Sequence, residues 1–425
     1  MTELRLPYGT STLTARIDDE VFAGEFRPRA AGAGLGAGAG PTDEALVRAT
    51  LGRPYGTPPL VELLRPNQTV VVVVPDVTRV CPTTTILPPV LEQIEAGGVS
   101  RRDVTIVFAT GSHRPQTDAE RARLVGDRVA TTYRCIDHDP GDCVALGHTT
   151  RGTPVEVFRP VATADRRVLI GAVELHYFAG YGGGAKAILP GCASLRSIQA
   201  NHQRMLEPGA ELGRLAGNPV REDMDDVLSL LPVDLIVNVV LGGGRIAQAF
   251  AGSPITAHRA ACRLLDQMYR VPLVARAGVV VASPGHHPHD INLYQAMKAA
   301  ESAKLACRQG GAIVLAAECP EGIGNAVMER WLKECPEPDD SLRRVREHFE
   351  LGGHKVAALA LMRRHARLHL VSALAPATLE TLAQYGVVAH KTLQEAVDAA
   401  RAAAGQDAPV LCMPAAAGLL PVVAR

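Results

Sequence analysis

Thr69-Val-Val-Val-Val-Val-Pro75, followed at once by Asp76-Val77-Thr78-Arg79, is the stretch that decides the fold. A run this short, apolar on both faces and rich in β-branched residues, reads as a strand buried on both sides in a parallel sheet. Seven further runs share its character: Val104–Thr110, Val168–Val173, Leu235–Leu241, Gly278–Ala282, Ala312–Ala316, Leu368–Ser372 and Val410–Met413. Between them Leu87–Ala96, Thr117–Leu124, Ile255–Met268, Ile291–Cys307 and Thr392–Ala404 read as helices. Alternation of this kind over 425 residues predicts an α/β protein of two α/β domains with mostly parallel sheets. The boundary is expected within Arg270–Ala277, giving an N-terminal domain of residues 1–272 and a C-terminal domain of residues 273–425. Ala31–Pro41 (AGAGLGAGAGP) is of low complexity and is expected to be a flexible loop.

Composition narrows the function classes. Lys plus Arg and Asp plus Glu number 44 each, so there is no broad basic footprint for nucleic acid. No apolar run approaches the roughly 18 residues of a membrane span, and the start MTELRLPYGT has no apolar core of a signal peptide. Nine scattered cysteines without a CxxC pair suggest reduced thiols and a cytoplasmic protein rather than a disulfide framework or zinc finger.

Open α/β sheets bind ligands beyond the carboxyl ends of their strands. Four such ends here are rich in chemistry: Asp76–Arg79, Gly111-Ser-His113-Arg-Pro115, Glu174-Leu-His176, and Ser283-Pro-Gly-His-His-Pro-His-Asp290. Two histidines, His113 and His176, each just past its own strand, suit an acid and a base on opposite faces of one carbon. The bland readings stand beside this: Asp76 as a turn former or helix cap with Arg79 its surface partner, His113 as a loop histidine, His176 as a core histidine. The His286–His289 run resembles a metal cluster, but Pro288 and Asp290 are better read as setting up the next helix.

His176–Gly191 (HYFAGYGGGAKAILPG) is the Gly-rich segment. Gly182, Gly183 and Gly184 would let backbone N–H groups approach an anion. The run is not a phosphate-binding P-loop, because Ala185 and Ala187 stand where Gly and Ser/Thr are needed, and it lacks the GxGxxG dinucleotide fingerprint. Lys186 is its one charged group and a candidate for covalent attachment of a cofactor, unless it is merely a surface lysine on a Gly turn. Downstream, His202 offers an imidazole to a metal or is a plain helix-surface residue. Finally, Asp290 is a candidate helix cap, and Tyr294, Gln295 and Lys298 fall on one helical face that suits a small carboxylate or hydroxyl ligand, or simply faces solvent.

As a set, LPYG (Leu6–Gly9), PDVTR (Pro75–Arg79), GSHRP (Gly111–Pro115), HYFAGYGGGAKAILPG, NH (Asn201–His202) and DINLYQAMK (Asp290–Lys298) resemble the nickel-pincer lactate racemase family of α-hydroxyacid racemases and epimerases. The resemblance covers most of the chain. It implies two α/β domains with the active site in the cleft between them. It implies a pyridinium-bis-thio mononucleotide carrying nickel, a nickel-pincer nucleotide, attached covalently to Lys186, with His202 as the protein's ligand to nickel. His113 and His176 match the acid–base pair. Arg79, Gln295 and Lys298 match substrate-binding positions, and Asp76, Tyr294 and Gly182–Gly184 lie where the cofactor site is expected. The implied activity inverts C2 of lactate, or of a relative such as malate, 2-hydroxyglutarate or an aldonate, by reversible hydride transfer to the cofactor. Implied partners are a small α-hydroxy acid and the proteins that make or insert the cofactor, with no nucleic acid and no membrane, and with a homo-oligomer left open.

Two departures bear on the substrate. Lactate-type members carry a C-terminal tryptophan near the cofactor, whereas His348–Gly353 has none and the single tryptophan, Trp331, lies upstream. Ala185 precedes the lysine where those members usually have arginine. Rival readings are an NAD-dependent 2-hydroxyacid dehydrogenase and a non-enzymatic nucleotide- or metal-binding protein.

Overall fold

A computed structural model describes residues 1–27 and 41–423; of the low-complexity stretch only Pro41 falls within them. The chain opens with a hairpin, β1 (Thr2–Tyr8) and β2 (Ser11–Ile17), and a short strand β3 (Phe22–Glu25). Next come β4 (Val70–Pro75), β5 (Val104–Ala109), β6 (Arg134–Asp137), the hairpin β7 (Cys143–His148) and β8 (Pro154–Phe158), β9 (Arg166–Ala172), and the two-residue strands β10 (Leu175–His176) and β11 (Gly180–Tyr181). They are followed by β12 (Leu235–Gly242) and β13 (Arg245–Gly252). The last third holds β14 (Arg270–Leu273), β15 (Ala277–Ala282), β16 (Cys307–Ala316), β17 (Arg367–Val371), β18 (Val387–His390), β19 (Val410–Met413) and β20 (Leu420–Val423).

Two sheets organise two compact units. The first runs β13-β12-β9-β4-β5-β6, parallel except for β13 against β12. Val70–Val74 are all buried, as a continuous apolar run requires. One face, Val70, Val72 and Val74, packs on Ile86, Leu87, Val90, Leu91 and Ile94 of helix Thr83–Ala96. Full burial of each such side chain contributes about 1.5–3 kcal/mol, so this seam is a main source of stability.

The second sheet runs β18-β17-β16-β15-β19-β3 and is parallel throughout. One of its faces is covered by Leu393, Ala396, Val397 and Ala400 of helix Leu393–Ala404, and by Leu4, Leu6, Ala15 and Ile17 of the opening hairpin.

The expected division at 272/273 needs correcting. The compact units are Ala30–Gln267 on the one hand and Met1–Arg29 with Met268–Arg425 on the other. The reason is the alternating apolar face of the hairpin, which belongs to the C-terminal core, and the pairing of β3 with β19. Among the described residues no helix is long and apolar enough to cross a membrane.

Candidate active site

In the N-terminal unit, neighbouring strands β9, β4 and β5 run parallel, so the segments after all three emerge at one edge of the sheet. Asp76 follows β4, His113 follows β5 and His176 lies past β9. Strands pack about 4.8 Å apart, so the two histidine-bearing segments start roughly 10 Å from one another, on either side of Asp76.

Asp76 and His113 form a dyad. The Asp76 Oδ2 to His113 Nδ1 distance is 2.5 Å, and the carboxylate is buried, with its side chain 3% exposed against 22% for the imidazole. The Thr78 hydroxyl donates to Asp76 Oδ1 at 2.7 Å, so Asp76 serves no helix cap; it holds a turn and a histidine. Burial alone would raise the Asp76 carboxyl. The hydrogen bond and charge of His113, the Thr78 hydroxyl and the charge of Arg79 outweigh it and hold the group below the ordinary aspartate range. An ionised carboxylate only accepts, so the shared proton belongs to His113 Nδ1, and the neutral ring keeps its lone pair on Nε2.

His176 has the opposite polarity. The Ala179 N–H donates to its Nδ1 at 3.2 Å, so the neutral ring carries its proton on Nε2. Burial, then the charges of Lys186, Arg79, His202 and Arg221, push its pKa well below the usual histidine value. The Phe178 ring lies between two imidazoles, 4.6 Å from His176 and 5.2 Å from His202, centre to centre. His202 ends helix Leu195–His202 and is buried, not on the helix surface.

Lys186 sits in a short 3-10 turn, Gly184–Ala187. Burial, with the charges of Arg79 and Arg221 overcoming the opposite pull of Glu174 and Asp76, brings its amine down to about 7. It is no plain surface lysine.

The glycines before it act differently from the sequence expectation. Gly182 N–H donates to the Glu174 carbonyl at 2.7 Å and Gly184 N–H to Asn238 Oδ1 at 2.9 Å, so two of the three amides are spent inside the protein and form no anion cradle. Glycine is required here by packing. A Cβ on Gly183 would meet Asn238 Oδ1 at 2.8 Å, and one on Gly184, at φ +62°, would meet His258 Cγ at 2.9 Å.

Arg79 does not serve Asp76 as its surface partner; its guanidinium lies 3.5 Å from Glu174 across the two loops. Both side chains are exposed, and such a pair is worth at most about 1 kcal/mol, so it is readily exchanged for another carboxylate.

In the C-terminal unit, helix Leu293–Ala306 carries Tyr294 and Gln295, both half-buried, and Lys298, exposed. Its cap is Asn292, whose Oδ1 accepts from Gln295 N–H at 3.0 Å. Asp290, expected as the cap, instead accepts from Gly9 N–H at 2.6 Å and Glu318 N–H at 3.2 Å, tying the opening hairpin to the strand ends. The His286–His289 run forms no metal cage: among the described residues, no three His, Cys, Asp or Glu side chains are gathered to hold an ion. Beside Tyr294 stand two buried residues that the motifs missed, His354 at 6.5 Å between ring centres and Lys355, whose amine is 5.6 Å from the Tyr294 ring. Burial, the Glu301 charge and that of Lys298 leave Lys355 at about 8. Trp331 is fully buried against Gly353 and donates to Glu350 at 2.9 Å, a packing role.

In the N-terminal unit Glu174 was named without a role, and Asn238, Arg221 and His258 were missed. Glu174 had a signal, its place at a strand end; Asn238 and His258 lie far along the chain in stretches that read as ordinary strand and helix, and Arg221 lies in a stretch not read as an element.

Comparison with known proteins shows the family. The lactate racemase N-terminal domain matches residues 8–213 and the lactate racemase C-terminal domain residues 274–420. A lactate racemase of Thermoanaerobacterium thermosaccharolyticum is 32% identical over 351 residues, 81% of either chain. One of Lactiplantibacillus plantarum is 30% identical over 432 residues, 99% of this chain and 100% of that one. The solved lactate racemase apoprotein of the former organism superposes over the full length of both chains with a TM-score of 0.85 at 28% identity. By the two domain matches and these identities, the chain belongs to the lactate racemase family and is an isomerase of the racemase class.

Proposed function

We propose that the protein inverts C2 of a small α-hydroxy acid, with lactate the first candidate because both relatives are named for it. The observation that carries this reading is the complementary polarity of two imidazoles at one sheet edge, a lone pair on His113 Nε2 and a proton on His176 Nε2. His113, backed by Asp76, takes the proton of the C2 hydroxyl at Nε2, and Asp76 offsets the charge that the ring then carries. His176, kept neutral, offers its Nε2–H to the oxygen from the other side, as a neutral imidazole can. The two histidines therefore play unequal parts, base and hydrogen-bond donor. Arg79 exchanges Glu174 for the substrate carboxylate, and Gln295 and Lys298 are proposed as further substrate contacts.

The residues fit a nickel-pincer nucleotide. A lysine amine near 7 is half neutral at neutral pH and so is a competent nucleophile for a covalent tether, and a buried His202 suits a single protein ligand to nickel whose other donors come from the nucleotide itself. When bound, that group supplies a reversible hydride acceptor. Asp76 and Tyr294 are proposed to line it, while Gly182–Gly184 shape the loop that carries its tether.

The test is mass spectrometry of protein from its native source, with metal analysis, alongside conversion of single-enantiomer lactate, malate, 2-hydroxyglutarate and aldonates. A mass increment on the Lys186 peptide with racemisation is expected. Turnover that consumes added NAD(H), with Lys186 unmodified, would instead establish a dehydrogenase.

A further inference from the structure

One charged side chain that no motif singled out holds the Gly-rich loop from behind. Arg221, in helix Pro219–Leu230, has a side chain 0% exposed. A guanidinium has five donors, no acceptor, and stays charged in proteins, so full burial demands partners. Its Nε donates to the Ala179 carbonyl at 3.4 Å, Nη1 to that of Gly183 at 3.3 Å, and Nη2 to that of Tyr181. One turn along the helix, Asp225 stands 3.5 Å away as its counter-ion, shared with Arg259 at 3.1 Å. His258 Nε2 completes the set by donating to the Gly182 carbonyl at 2.8 Å. Four carbonyls between Ala179 and Gly183 are thus taken up by side chains just before Lys186.

A buried ion pair seldom adds stability over an apolar filling of the same volume, so stability alone is a weak reason for arginine here. We propose that Arg221 is the positioning residue of the Lys186 loop: by pinning three carbonyls that precede the lysine, it fixes the point and direction from which the side chain leaves the backbone. Its charge also acts on the amine, among a set of facing groups that comprises Arg79, Glu174, Asp76 and His176. The meaning of this role rests on Lys186 being the cofactor's tether, but the role itself is measurable without the cofactor.

The test uses the full-length apoprotein and acetic anhydride as probe, with the rate of Lys186 acetylation read by peptide mass spectrometry from pH 5 to 10. Arg221→Gln removes grip and charge: the midpoint should rise by about one pH unit and the high-pH plateau rate fall several-fold. Arg221→Lys keeps the charge without the fork: the midpoint should stay near wild type while the plateau still falls. Asp225→Asn retains the three carbonyl bonds and should leave the plateau unchanged. A folded Arg221→Gln protein with the wild-type midpoint and plateau overturns the proposal. Should that variant fail to fold, an unchanged plateau in Arg221→Lys does so. An unmodified Lys186 in the native holoenzyme would remove the tether reading yet leave these rates as they are.

Discussion

Lys186→Met should make the apoprotein more stable, by an amount that depends on pH in a defined way. The amine falls from 10.5 to about 7 on folding, chiefly through burial. At about 1.36 kcal/mol per pH unit, the folded state disfavours the charged lysine by about 4–5 kcal/mol. Between those two pKa values the unfolded chain binds a proton that the folded chain has lost, so the wild type gains stability as pH rises through this window. Methionine has no such linkage. The advantage of Lys186→Met should therefore be largest at and below pH 7, shrink by about 1.4 kcal/mol per unit above it, and level off near pH 10.5. Any gain or loss from packing of the methionine adds a constant and leaves the slope intact. The assay is urea denaturation of both proteins from pH 6 to 10, followed by hydrogen exchange of the β4 and β9 amides. Tryptophan fluorescence would not serve, because Trp331 reports on the other compact unit. A stability gap that stays level between pH 7 and 10 would refute the reasoning, since it would mean that Lys186 keeps its proton on folding.

Three further outcomes follow from the same geometry. Asp76→Asn leaves Nδ1 of His113 without its acceptor and should lower racemisation by about 10²–10⁴-fold with the fold retained, checked by chiral chromatography and circular dichroism. Gly184→Ala meets both a φ of +62° and His258, so it should cost about 1–3 kcal/mol, while Gly244→Ala, at φ +79° with nothing within 4 Å, should cost less; thermal melts rank the two. Because the Lys186 charge is the largest electrostatic depressant of His176 after burial, Lys186→Met should raise the His176 pKa, visible as a shifted imidazole titration in NMR.

Much of the fold was legible because parallel strands announce themselves. All eight apolar runs are strands in the two main sheets, their ends displaced by a few residues. β13 was missed because RIAQAFAG, antiparallel at the sheet edge, has no continuous apolar run. The helix Pro219–Leu230 was missed because its acidic run, REDMDD, gives no hint that Arg221 and Asp223 are fully buried. At the site, the sequence put Asp76, His113 and His176 each past its own strand, and the sheet order makes those three strands neighbours. What strand order leaves open is polarity: which nitrogen of each imidazole holds the proton depends on a carboxylate for one and a backbone amide for the other. The role of the glycines was misjudged for a similar reason, since a sequence does not show that Asn238 and His258 fill the space a side chain would need.

The opening hairpin and β3 have a consequence for how the chain is made. They are made well before the strand that β3 pairs with, β19. The unit Ala30–Gln267 is continuous and can close during synthesis, whereas the other unit must hold its early segment in reserve until β19 has been made. Deleting the hairpin and β3, or blocking them with a bulky fusion, would therefore damage a unit whose other strands lie beyond Gln267 in the chain.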